Sequence, residues 1–150
     1  MKSIVLGLLA VLSLATARAQ DDPASWKFTA KKISEKVYEV QMTATLRSGW
    51  HLYSQTQPKD AIAYPTKVGF ANNPLIVRTG NVKEVGKMEK FHDASTNSTA
   101  HQYANTVTFI QKVTLKAAAK TALSGTVEYQ TCDDKQCKPP KKIPFNVPLG

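Results

Sequence analysis

Along residues 36–47, Tyr38, Val40, Met42, Ala44 and Leu46 fall on one parity. Glu39, Gln41, Thr43 and Thr45 fall on the other. That period of two predicts a long strand with one buried face. Val107, Phe109, Val113 and Leu115 repeat it over residues 106–116, and Leu123, Val127 and Tyr129 repeat it further on. Shorter candidates lie at 26–31, 49–54, 66–70, 75–78 and 143–147. Turn residues separate them: Ser48-Gly49, Asn72-Asn73-Pro74, Thr79-Gly80-Asn81 and Ser124-Gly125. No segment carries a helical period. Seven to nine short strands with regular punctuation predict an all-β domain, an immunoglobulin-like antiparallel β-sandwich.

The first residues follow a different rule. Met1-Lys2 precedes an apolar run from Ile4 to Ala15, and Ala17-Arg18-Ala19 has the form of a leader-peptidase site. The run is too short to span a bilayer. Residues 1–19 are therefore expected to be a cleaved signal peptide, and 20–150 one exported domain. Nothing beyond residue 20 is apolar enough for membrane insertion, so the expected location is the periplasm, where disulfides persist.

Charge adds little. The chain has 20 Lys and Arg against 11 Asp and Glu, a formal +9, and removing the leader leaves about +7 on ordinary side-chain ionisation. The lysines are scattered, without the aromatic platform or basic helix of a nucleic-acid binder. His51, His92 and His101 lack the spacing of a metal site, and no cofactor is expected. No serine, histidine and carboxylate arrangement suggests hydrolysis.

The remaining chemistry lies in the only two cysteines, in the run Tyr129-Gln130-Thr131-Cys132-Asp133-Asp134-Lys135-Gln136-Cys137-Lys138-Pro139-Pro140. Parity puts Cys132 on the face opposite Leu123, Val127, Tyr129 and Thr131, away from the core. A turn over residues 133–136 would set the two sulfurs opposite each other on a hairpin. Pro139-Pro140 cannot donate ladder hydrogen bonds, so the outgoing strand should start frayed and leave the pair accessible. A bridge here closes about six residues and adds only about 2 kcal/mol by chain entropy. That is a weak staple, and an exchangeable disulfide uses the geometry better. Asp133 and Asp134 disfavour a thiolate at Cys132, whereas Lys138, Lys141 and Lys142 favour one at Cys137. The expected nucleophile is Cys137 and the resolving partner Cys132. A passive hairpin disulfide in a non-catalytic immunoglobulin-like binding module is the alternative.

This cysteine run resembles the cysteine hairpin of the N-terminal periplasmic domain of DsbD-type thiol:disulfide interchange proteins. Trp50-His51-Leu52-Tyr53-Ser54-Gln55-Thr56-Gln57 resembles an upstream motif of the same domain, and the likeness runs from about residue 26 to 149. It implies the immunoglobulin-like fold and disulfide exchange, with a thioredoxin-like or membrane thiol reductase as donor and oxidised exported proteins as acceptors. It also implies that the second cysteine, Cys137, engages partners. The family's membrane and thioredoxin-like domains are not in this sequence, so electrons are expected from another polypeptide. The family's cap loop corresponds to residues 87–99, where Phe91 is the aromatic candidate. Tyr53 and Tyr103 are further candidates to line the site.

Overall fold

The computed structural model describes residues 21–150. The predicted leader and its cleavage point lie outside the described residues. Among the described residues nine strands form: β1 (Ala24–Lys32), β2 (Val37–Leu46), β3 (His51–Tyr53), β4 (Lys67–Phe70), β5 (Ile76–Asp93), β6 (Ser98–Leu115), β7 (Thr121–Tyr129), β8 (Thr131–Cys132) and β9 (Lys141–Leu149). They make two antiparallel sheets. The larger contains β1, β2, β6, β3, β8 and β5; the smaller runs β4-β7-β9. This is the predicted immunoglobulin-like sandwich.

The core lies where the alternation put it. Tyr38, Val40, Met42, Ala44 and Leu46 of β2 are buried, as are Val107, Phe109, Val113 and Leu115 of β6. Leu123, Val127 and Tyr129 of β7 meet them from the smaller sheet. Trp26 of β1 bridges the layers, its ring 5.9 Å from Phe109 and 5.1 Å from Tyr129. The strands of the smaller sheet approach closely at Gly125. A Cβ there would lie 2.1 Å from the Gly69 carbonyl oxygen and 2.7 Å from the Phe145 ring.

β6 organises the larger sheet. Its residues 106–114 pair with β2 and its residues 102–104 with β3, while β5 pairs along its other edge. The change of partner occurs at Asn105, which takes a positive φ of 62°. Asparagine tolerates that conformation better than most side chains. Gln57 extends the short β3 ladder: its amide donates to the His101 carbonyl at 2.7 Å and its oxygen accepts the His101 N–H at 3.0 Å.

Two expectations require correction. The strands predicted at 75–78 and 106–116 are ends of an 18-residue pair, β5 and β6. β5 is mostly exposed on both faces, so it carries no period-two hydrophobic signal. The predicted turn at Thr79-Gly80-Asn81 is a register shift within β5, not a reversal. Gly80 does adopt a positive φ of 71°, but the strand continues as a bulge. Buried Gln111 donates to the carbonyls of Thr79 and Gly80 at 3.2 and 3.3 Å, satisfying groups the bulge removes from the ladder.

Candidate functional site

The chain crosses between sheets at Gln130. Up to Tyr129 it pairs with β9 in the smaller sheet; from Thr131 it pairs with β3 in the larger one. Side-chain alternation survives the crossing. Thr131 lies opposite core residue Leu52, and Cys132 lies opposite His51 on the outer face. Parity thus placed Cys132 on the correct face. The expected accessibility holds for only one sulfur: Cys132 is 2% exposed, whereas Cys137 is exposed.

Asp133 builds the turn between them. Its N–H donates to the Gln136 carbonyl at 2.9 Å. Its carboxylate accepts the N–H groups of Lys135 at 2.8 Å and Gln136 at 2.7 Å, which hold it below the usual carboxylate range. Cys132 and Cys137 face each other as an isolated bridge and are disulfide-bonded, with Cα atoms 4.0 Å apart. Beyond them, the Lys138 N–H donates to the Thr131 carbonyl at 2.8 Å. Strand pairing lapses at Pro139-Pro140 and resumes at Lys141, as the missing prolyl donors require.

β3 supplies the neighbours of the buried sulfur. The Tyr53 hydroxyl donates to Cys132 Sγ at 3.2 Å. Burial pushes the Tyr53 phenol above its ordinary value, which keeps it a donor. The His51 ring meets Tyr53 edge-on at 5.4 Å between centroids. Burial holds the His51 imidazole below its usual value, against the opposing pull of Asp134, Glu89 and Asp133. Thr66 Oγ1 donates to the Tyr53 carbonyl and fixes the returning loop. Glu84 fixes its start, accepting from Ser54 Oγ at 2.8 Å and the Gln55 N–H at 2.6 Å.

His51, Tyr53 and the two cysteines line a cleft of about 820 Å³. Ile62 of the 54–66 loop and Phe91 of β5 line it, 76% and 52% exposed respectively. Phe91 thus lines the same cleft as the cysteines. Its setting differs from the expected cap loop: residues 87–93 belong to β5, and the reversal is confined to the turn before Ser98. Tyr103 does not line the cleft. It points into the core and donates to Glu84 at 2.7 Å. Of the expected thiolate-tuning groups, Asp133 serves the turn and Asp134 lines the cleft. The Lys138 ammonium lies over the Trp50 ring, 5.7 Å from its centroid.

Sequence reasoning missed His51 and Gln102 as site residues. Both flank Tyr53 on the same face, His51 two residues earlier on β3 and Gln102 opposite it on β6. The period of two would have put His51 beside Tyr53, had β3 been read as facing the cysteines. Gln102 had no comparable signal, because it needs the β3–β6 register.

Residues 17–148 match the family described as thiol:disulfide interchange protein DsbD, N-terminal. The fold is similar to the reduced N-terminal domain of DsbD from Neisseria meningitidis, with a TM-score of 0.53 and 13% identity over 83% of this chain and 84% of that one. It is also similar to the N-terminal periplasmic domain of ScsB from Proteus mirabilis, with a TM-score of 0.60 and 17% identity. That match covers 85% of this chain and 47% of the ScsB chain. No curated protein sequence matches the chain.

Proposed function

Because the chain belongs to the DsbD N-terminal domain family, we propose that it is a periplasmic thiol:disulfide exchange domain passing two electrons through Cys132 and Cys137. The leader over residues 1–19 is part of that reading. The observation that carries it is the unequal exposure of a bonded pair: Cys137 open to a partner, Cys132 buried under a hydroxyl.

Attack on a disulfide needs in-line access to one sulfur and a stabilised leaving group on the other. A thiolate of the electron donor, a thioredoxin-like or membrane reductase, attacks Cys137 Sγ. The Cys132–Cys137 bond breaks, and Cys132 leaves as a thiolate that accepts the Tyr53 hydrogen bond and then a proton. The donor's second thiolate attacks its own bridged sulfur and releases Cys137. The donor is oxidised to a disulfide, and this domain gains two electrons and two protons. Delivery runs in the opposite sense. The Cys137 thiolate attacks a disulfide of an oxidised exported protein, and Cys132 then attacks Cys137 Sγ. The client leaves with two thiols and the internal bond reforms.

The test is trapping. Cys132→Ser leaves the exposed Cys137 without its resolving partner and should accumulate mixed disulfides with a thioredoxin-like reductase or an oxidised client. Cys137→Ser leaves only the buried sulfur and should accumulate few. Equal trapping by both variants would remove the division of labour. Absence of trapping by either would identify the bridge as passive.

A further inference from the structure

The cleft contains a polar atom that neither the fold nor the exchange chemistry uses. Gln102 is 8% exposed and sits on β6 between Tyr53 of β3 and Glu89 of β5. Its Oε1 is buried and has no hydrogen-bond partner among the described residues. Folded proteins leave few buried oxygens unpaired, and those few call for a reason. This one belongs to a side chain that lines the cleft beside the disulfide.

The charge of the cleft is a second, independent observation. The whole chain is strongly basic, yet Asp93, Asp133 and Asp134 line this cleft against a single cation, Lys135. Hydrogen bonds from Ser95 hold the Asp93 carboxyl below its usual range, and turn N–H groups do the same for Asp133. Both are therefore ionised at neutral pH. Ile62 and Phe91 add exposed apolar surface.

We propose that the cleft takes an extended, basic, cysteine-bearing segment of the partner. The Gln102 side chain turns to bring Oε1, buried in the free protein, to the cleft, where it accepts a backbone N–H beside the partner's reactive cysteine, and Asp93 and Asp134 face the partner's cationic side chains. The proposal rests on the exchange function and names the chemistry of what that site accepts. Gln102 is a binding residue here, because a small thiol can reach Cys137 without touching it.

The experiment uses short synthetic peptides with one central cysteine, flanked by Lys, Ser or Glu. Each is reacted with the oxidised protein, and mixed-disulfide formation is followed by acid quench and mass spectrometry. Every rate is divided by that peptide's rate with bis(2-hydroxyethyl) disulfide, an uncharged small disulfide, which removes the effect of flanking charge on thiol ionisation. The Lys-flanked peptide should exceed the Glu-flanked one by about tenfold at low salt, and the ratio should approach one in about 0.5 M salt. Asp93→Asn with Asp134→Asn should remove most of that ratio. Gln102→Met should slow the Lys-flanked peptide by about fivefold, the size of one neutral hydrogen bond. N-methylation of the peptide next to cysteine should slow the wild-type protein equally, whether or not the Gln102 variant folds. Equal normalised rates for Lys and Glu peptides would overturn the charge assignment. An N-methylated peptide as fast as its parent would overturn the Gln102 contact. A disulfide that neither peptide nor dithiothreitol opens would instead overturn the exchange function itself.

Discussion

Tyr53→Phe isolates one hydrogen bond. The ring remains, so the packing of this nearly buried side chain beside His51 is preserved. Only the hydroxyl 3.2 Å from Cys132 Sγ is lost. In the disulfide that contact is weak, because a bridged sulfur is a poor acceptor. As Cys137 is attacked, negative charge builds on Cys132 and the contact becomes charge-assisted. A full hydrogen bond to a charged group is worth about 1.5–3 kcal/mol. Brønsted slopes of about 0.4–0.5 for the attacking thiol mean that roughly half its charge has moved off it in the transition state, toward the leaving sulfur. About 1 kcal/mol should therefore disappear from the transition state, slowing reduction about fivefold. The assay is the rate of reduction by dithiothreitol, quenched by alkylation. Tyr103→Phe is the control: its hydroxyl serves Glu84 in the fold, so it should lower stability and spare the rate. A Tyr53→Phe protein reduced at the wild-type rate would refute the argument, as would an equal slowing in Tyr103→Phe.

Other predictions follow from the same contacts. Reducing the bridge should leave the fold intact, since a loop of about six residues contributes only about 2 kcal/mol; melting should fall by roughly 10 °C at most, and loss of the far-ultraviolet strand signal on reduction would contradict this. Burial depresses the His51 pKa below 6.5, so below that pH the unfolded chain binds the proton more readily and stability falls as pH drops. Urea midpoints from pH 7.5 to 5 should decline more for the wild type than for His51→Gln, and parallel curves would show that His51 is not the group responsible. Gly125→Ala forces a Cβ against the Gly69 carbonyl and the Phe145 ring and should destabilise the fold by about 1–3 kcal/mol or more; an unchanged denaturation midpoint would show that the two strands part at no cost.

The legibility of this fold followed burial. β2, β7 and the second half of β6 each bury one face and leave the other wetter, and their alternation alone located the core. β5 is a long strand held by β6 along one edge, with few of its side chains buried. Its backbone hydrogen bonds, not a hydrophobic face, make it a strand, and those leave no mark on composition. The same fact explains Thr79-Gly80-Asn81. A glycine at positive φ between polar residues has one signature, whether the chain reverses or bulges. Gln111 tips this one to a bulge by capturing the freed carbonyls from the neighbouring strand.

For the site, local information carried as far as the hairpin and no further. The cysteine spacing, the Asp133 turn and the double proline are contiguous, and all three behave as their chemistry requires. The contrast in accessibility between the sulfurs was not local. Cys132 is buried because the chain changes sheets at Gln130 and lays residue 132 beside β3; Cys137, on the returning arm, has no partner strand beyond Cys132 itself. The flanking charges, which first suggested Cys137 as nucleophile, are therefore the weaker argument. Lys138 turns to Trp50, and Asp133 is occupied by the turn. Access is the better support for the proposed assignment: Cys137 is exposed, and the Cys132 sulfur that the proposal has it displace already has a hydroxyl beside it.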